Sequence, residues 1–317
     1  MDENLKPVFD EVYKTQIEPY LEDIEKRRVK ILEEFKEKAI AYFSIAVIIV
    51  FVLPIDGSIK AFILFCVFPL VYILAFALSF KTFPIEVKDK LLPVILSVFG
   101  DFHRFKTEAI TFEELKEYKI FPKASFCNTD DIIAGKYKNL DIIIQESSIH
   151  NGTGVRFINK ETGSVIKDTS AAFYGLIIKV TSNKTFTGTT IVRPDEYYSD
   201  AGNLHRVYLE DPAFEKIYNV YSTDQIEARY LLTTAFMERL QKAGNSFTRD
   251  PEEKNRTYCV FDKGHVFLFL SSGERFFEVF SPFNTIKRKE LYERVYEQMV
   301  AVFDLIEELK LDQNIGM

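Results

Sequence analysis

The chain has 317 residues, 47% of them hydrophobic, and carries 40 basic against 47 acidic side chains for a formal charge of −7. That length leaves room for one or two folded units, and the acidic balance excludes a polyanion-binding surface spread over the whole molecule, so no nucleic acid is expected as a partner. Cys66, Cys127 and Cys259 stand far apart, which suggests neither a disulfide framework nor a zinc site.

Residues 1–38 read as an N-terminal amphipathic helix beginning at Leu5 and bent at Pro19. Ile17, Leu21, Ile24, Ile31 and Phe35 recur on one face. Arg28 sits where that stripe would continue, which argues against a long coiled coil and leaves packing on the chain's own C-terminal helix open.

Residues 39–80 read as a transmembrane hairpin with helices at 39–55 and 61–80. From Ala39 to Ile55 the only polar side-chain atoms belong to Tyr42 and Ser44, while Ala61 to Phe80 holds no charge and one proline, Pro69. At about 1.5 Å per residue the first run approaches, and the second matches, a hydrocarbon layer of about 30 Å. The first run also begins too deep in the chain for a cleaved signal peptide. Asp56-Gly57-Ser58 is turn chemistry between the two. Arg27, Arg28, Lys30, Lys36 and Lys38 precede the hairpin and Lys81, Lys88 and Lys90 follow it, against Lys60 alone between. This bias predicts a multi-pass protein of the cytoplasmic (inner) membrane with both termini cytoplasmic.

Residues 81–317 read as a cytoplasmic α+β domain with a mainly antiparallel sheet, a helical insert and a long C-terminal helix. Thr111-Phe112-Glu113-Glu114 fits a capping box that opens a short helix. Ile132–Tyr137, Asp141–Gln145 and Phe173–Thr181 are β-branched and aromatic runs, punctuated by Lys138-Asn139, Asn151-Gly152 and Asn183-Lys184. Gly188–Arg193 and Arg206–Leu209 extend the sheet, and Tyr258–Phe261 with His265–Leu270 form a hairpin turned at Asp262-Lys263-Gly264. In the insert, Asp211 caps a helix with Pro212 at its first position, Ser222 and Gln225 make a second capping box, Thr233 caps a third helix and Gly244 stops it. Asp250-Pro251 opens a polar loop. Leu291, Val295, Met299, Val302, Ile306 and Leu309 form the C-terminal stripe.

The stretch from Val207 to Leu240, VYLEDPAFEKIYNVYSTDQIEARYLLTTAFMERL, closely resembles the signature of DUF3137, a bacterial family of unknown function. Phe173-Tyr-Gly-Leu and Asn183-Lys-Thr-Phe resemble that family's central strands, and the resemblance extends over most of the chain, with Thr234 standing where the family has proline. It implies a membrane-bound bacterial protein, brings no activity or cofactor with it, and hints at a LemA-type membrane protein as a partner.

Asp224, Glu227, Arg229 and Tyr230 fall within two turns of one helix, where a carboxylate pair three residues apart could serve acid/base work or a cation. The structural alternative is that Asp224 complements the helix dipole, Arg229 pairs across the surface and Tyr230 lies at a core edge. His103, His150, His205 and His265 show no metal-ligand spacing, so no metal site is expected. Gly152-Thr153-Gly154 lacks the lysine and following helix of a phosphate loop, and no nucleophile elbow or Cys/His pattern occurs. The sequence therefore predicts a membrane-anchored interaction module bound to the bilayer and to a protein partner or a second copy, with a membrane-associated enzyme acting on a lipid or cell-envelope precursor as the alternative.

Overall fold

The computed structural model describes residues 5–107, 109–152, 156–158, 165–167, 170–182, 186–194, 202–247, 257–272 and 275–311. The first helices are α1 (Leu5–Val12), α2 (Glu18–Val52), α3 (Gly57–Ser79), α4 (Phe83–Leu96) and α5 (Phe112–Glu117). Later ones are α6 (Pro212–Glu215), α7 (Gln225–Leu231), α8 (Thr234–Phe247) and α9 (Lys289–Glu308). The strands are β1 (Phe102–Phe105), β2 (Ala124–Tyr137), β3 (Leu140–Asn151), β4 (Arg156–Ile158), β5 (Val165–Lys167) and β6 (Ser170–Thr181). They continue with β7 (Thr190–Pro194), β8 (His205–Val207), β9 (Tyr218–Ser222), β10 (Thr257–Asp262) and β11 (His265–Ser271). The mixed helix and antiparallel-sheet class expected from the sequence is the one found.

The described residues fall into two compact units, one of residues 5–98 and 278–296, the other of 99–277 and 297–311. In the helical unit, α1 passes through a π-helical turn, Tyr13–Ile17, into α2, with Pro19 in the first turn of α2 where a missing N–H is tolerated. Phe9, Tyr13, Ile17, Leu21 and Ile24 are buried along one face. Phe9 stacks on Tyr296 at 4.6 Å between ring centroids, and Tyr13 meets Tyr292 at 5.7 Å, so the N-terminal stripe packs on the start of α9. Arg28, inside the stripe, is buried but fully engaged: it donates to both Glu25 oxygens at 2.8 and 3.0 Å and to the Pro282 carbonyl at 2.8 Å. A buried guanidinium is tolerable only when paired in this way.

Helices α2 and α3 pack antiparallel, since Phe35 meets Tyr72 and Phe76 while Phe43 meets Phe68. The Asp56 carboxylate caps α3 by accepting from the Ser58 amide at 2.8 Å, so the helix begins at Gly57, ahead of the expected Ala61. Among the described residues α3 is the one helix long and apolar enough to cross a membrane. The apolar end of α2 is shorter than the sequence suggested. Leu53 turns extended (φ −65°, ψ 133°) because Pro54 follows it, which ends the helix at Val52. From Ala39 that leaves about 21 Å of apolar helix against about 30 Å of hydrocarbon, so a two-span hairpin does not follow from length and composition.

In the sheet unit, the described strands run β1-β2-β3-β6-β11-β10-β7-β9-β8 with antiparallel neighbours, and β4 pairs with β5 separately. Two tight turns are the ones the sequence marks. Lys138 and Asn139 both take positive φ (47° and 67°), as do Lys263 and Gly264 (46° and 76°), the geometry that matches strand twist in a two-residue hairpin. Ile149, Phe173, Ile177, Tyr258, Phe267 and Phe269 pack with Ile110, Leu115 and Tyr118 from around α5. Gln145 fixes that connection from below, exchanging hydrogen bonds of 3.0 Å with both the amide and the carbonyl of Ile110. From Glu297 onward α9 belongs to this unit, where Phe303 stacks on Tyr137 at 4.4 Å and Glu307 accepts from Lys138 at 2.6 Å.

Several expectations are corrected. Strands β2 and β3 are more than twice as long as their apolar runs, and β1 and β9 were not foreseen. β9 divides the expected helical insert. Ser222 ends that strand and is no helix cap: its hydroxyl lies 2.9 Å from that of Thr190 on β7, and Asp224 caps α7 instead. Helix α8 passes through Gly244, whose cost of about 1 kcal/mol does not by itself end a helix. The readings at Asn183-Lys184, Thr153-Gly154 and Asp250-Pro251 lie outside the described residues.

Candidate functional site

The residues singled out in the sequence are held by α7. Asp224 sits at its N-terminus and accepts from the amides of Ile226 at 2.9 Å and Glu227 at 3.0 Å. Glu227 points back across the chain: one carboxylate oxygen accepts from the Thr187 amide at 2.8 Å and the other from the Gly188 amide at 2.7 Å. A Cβ at position 188 would lie 2.8 Å from that second oxygen, so glycine lets the backbone reach the carboxylate. Arg229 is exposed and donates to the carbonyl of Gln225 at 3.1 Å, and Tyr230 is exposed beside it. The two carboxylates thus share a helix turn but serve backbone amides. The four histidines are dispersed over β1, β3, β8 and β11.

A different constellation forms where β2, β3 and β6 run side by side. The β2–β3 register jumps between Thr129↔Ser147 and Ile132↔Gln145, so Asp130 and Asp131 together oppose Glu146. This is a β-bulge, one residue too many on one strand, and it re-aims the side chains beside it. Carboxylate oxygens of Asp130, Asp131 and Glu146 all come within 4.8 Å of one another. Across the other ladder Ser148 is opposite Tyr174, which puts Tyr174 diagonal to Glu146 on the same face. The Tyr174 hydroxyl donates to Glu146 Oε1 at 2.6 Å and the Phe276 amide donates to the same oxygen at 3.1 Å. Glu146 Oε2 is buried and receives no hydrogen bond.

Asp130, Glu146 and Tyr174 border a cavity of about 280 Å³ lined also by Asn128, Ser148 and Arg275, among others. Glu146 is 1% exposed. Burial raises its carboxyl to about 7, against the hydrogen bonds from Tyr174 and Phe276, and the nearby Asp130 and Asp131 add to the rise. Asp131 is held by Arg104, whose Nε lies 2.8 Å away, while Asp130 is exposed. Sequence reasoning missed this cluster because fifteen residues and a register shift separate its members.

Residues 171–311, less than half of the chain, match the model of a family described as "Protein of unknown function (DUF3137)". Over those residues the chain is similar to DUF3137. The matched segment includes Tyr174, Asp224, Glu227, Arg229 and Tyr230, whereas Asp130, Asp131, Glu146 and the apolar helices precede it. No curated protein matches the sequence. A crystal structure of the mycobacterial trehalose monomycolate transport factor A, TtfA, aligns with 71% of this chain and 93% of its own at 10% identity and a TM-score of 0.35. A score that low carries no argument about fold or function.

Proposed function

We propose that the protein is a membrane-anchored interaction module of the bacterial inner membrane, with α2 and α3 as a transmembrane hairpin and the sheet unit in the cytoplasm. The observation that carries this reading is the exposure of the apolar helices: only 6% of the apolar window of α3 is buried. The end of α2 supports a second span despite its length, because Ile40, Ile48, Phe51 and Val52 are between 63% and 78% exposed. So much contiguous apolar surface is costly in water. Snorkelling of Lys36, Lys38 and Lys60 and local thinning of the bilayer would make up the missing length. The bias of basic residues toward both flanks supports cytoplasmic termini.

The interaction role rests on exposed Tyr208, Ile226 and Tyr230, on α7 and just after β8, since aromatic and aliphatic anchors of this kind favour protein contacts. With Asp224 and Glu227 engaged by backbone amides, the enzyme alternative has no reactive pair at α7. A photoreactive residue placed in turn at Tyr208, Ile226 and Tyr230 tests the module in cells. A recurrent adduct with one protein, or with a second copy of the chain, is the expected result, and lipid adducts or none would overturn it.

A further inference from the structure

We propose that the cavity at the β2 bulge is a binding site for a hard divalent cation, of the Mg²⁺, Mn²⁺ or Ca²⁺ class, held by Glu146, Asp130 and Asp131. Two independent observations meet there. The first is the donor set: three carboxylates whose oxygens lie within 4.8 Å of one another, brought together by a bulge that places two aspartates opposite one glutamate. The second is Glu146 Oε2, an oxygen of a side chain only 1% exposed that has no hydrogen-bond donor although Oε1 has two.

A buried carboxylate oxygen without a donor costs free energy unless something positive or a proton sits on it. A proton on Glu146 would quiet that single atom and leave Asp130 and Asp131 crowded against it. A divalent ion answers all three at once. The cavity suits one, because its walls supply oxygen: the carboxylates of Asp130 and Glu146, with Asn128, Thr129, Ser147 and Ser148 around them and an Asp131 oxygen within 4.8 Å of the other two. Hard cations take six or more oxygen ligands and complete the shell with water, for which about 280 Å³ leaves room. Among the described residues the wall holds no histidine or cysteine, which argues against zinc or copper.

The surrounding charges are consistent with one added cation. Arg104 is committed to Asp131 Oδ1 at 2.8 Å, and Arg275 lies at the exposed edge of the cavity. Among the described residues, the three carboxylates therefore exceed these two arginines by one. Tyr174 positions the ligand: its hydroxyl, with the Phe276 amide, holds Oε1 and so fixes where Oε2 points. Filling the site would pin β2, β3 and the segment at Arg275 to one another, which makes it a structural cross-link of the sheet unit or a site where a phosphate-bearing ligand could complete the metal's shell.

The test uses the full-length chain purified in detergent, stripped with chelator and titrated with Mn²⁺, Mg²⁺ and Ca²⁺. Manganese paramagnetic resonance reads stoichiometry and the thermal midpoint reads the effect on the fold. The expected result is one tightly held Mn²⁺ per chain, a saturable rise in midpoint, and at least a tenfold loss of affinity in both Glu146→Gln and Asp130→Asn. Asp130 is exposed, so Asp130→Asn keeps the fold and decides the matter if Glu146→Gln does not. Wild-type protein that binds none of the three ions, or an Asp130→Asn variant that binds as wild type does, would overturn the proposal.

Discussion

The hydroxyl of Tyr174 on β6 lies 2.6 Å from Oε1 of Glu146 on β3 and donates to it, two rungs along the sheet ladder from the residue directly opposite. The bond favours the charged carboxylate, yet burial outweighs it and leaves the Glu146 carboxyl raised from 4.5 to about 7. A carboxyl raised in the fold binds its proton more tightly folded than unfolded. Its contribution to stability is therefore present below pH 4.5 and lost as pH rises through about 7.

In chelator, the wild type should lose on the order of 3 kcal/mol more stability than Glu146→Gln between pH 4.5 and pH 8. Asp130, Asp131, Arg104, Arg275 and Tyr174 face the group and are common to both proteins, so the difference isolates Glu146. Urea midpoints at the two pH values measure it. Parallel pH profiles for the two proteins would show that Glu146 ionises as an ordinary carboxylate.

Glu227 ties the chain ahead of β7 to α7 through two backbone amides. Glu227→Ala strands both donors and should cost about 1–3 kcal/mol, while Glu227→Gln keeps one acceptor and should cost less. Asp224→Ala removes the cap of α7 for about 1 kcal/mol. Asp224 accepts from the Glu227 amide, so the two residues form one network and the double variant should deviate from additivity. Chemical denaturation of each variant checks the order. If Glu227→Ala unfolds at the wild-type midpoint, its role is not structural, and the acid/base reading of α7 regains its motive.

How far the sequence reached depends on whether a feature is local. Lys138-Asn139 and Lys263-Gly264 were legible because a two-residue turn demands positive φ within its own residues. Asp211 and Thr111 were legible as caps for the same reason. The Ser222–Gln225 pattern misled because Asp224 satisfies the same orphan amides from closer by, leaving Ser222 to the strand. The end of α2 was misjudged by reading apolarity through Leu53 without the constraint Pro54 places on it. Glu146 and the aspartates were out of reach altogether: nothing in either strand announces that a bulge at Asp130 will set two carboxylates opposite one, because register is decided between strands.

Gly175 on β6 lies opposite Ser147 and Ser271, and a Cβ there would stand 2.0 Å from the carbonyl oxygen of Leu270 at a φ of +155°. Both the contact and the backbone conformation require glycine. Gly175→Ala forces the central β6–β11 ladder apart and should cost more than about 3 kcal/mol. Gly57→Ala, where a Cβ meets nothing within 4 Å, is the matched control and should be close to neutral. Thermal midpoints of the two variants test this pair.

The membrane reading makes its sharpest prediction through a cysteine the protein already carries. Cys66 is on α3, ten residues after the Asp56 cap, and is exposed in the isolated chain, as are its neighbours Phe62, Phe65 and Phe68, between 54% and 79%. In a bilayer that stretch lies among acyl chains, where a charged maleimide does not enter. Cys66 should therefore resist a membrane-impermeant maleimide in intact membranes and react once the membrane is dissolved in detergent. Ser44→Cys and Ile48→Cys extend the test to the end of α2, and both should be protected in the same way if the hairpin spans. Ser58→Cys, in the first turn of α3, should label from outside the cell, because cytoplasmic termini put the α2–α3 loop on the far side. Phe65→Lys, which puts a charge near the middle of α3 at a cost of about 3 kcal/mol for insertion, should lower the membrane-bound fraction. Protection of Cys66 with free labelling at positions 44 and 48 would leave α3 as the single span and place the two ends of the chain on opposite sides of the membrane. Free labelling at all three positions in intact membranes would mean that the apolar helices stand in water and not in the bilayer, and the module would have to be anchored by other means.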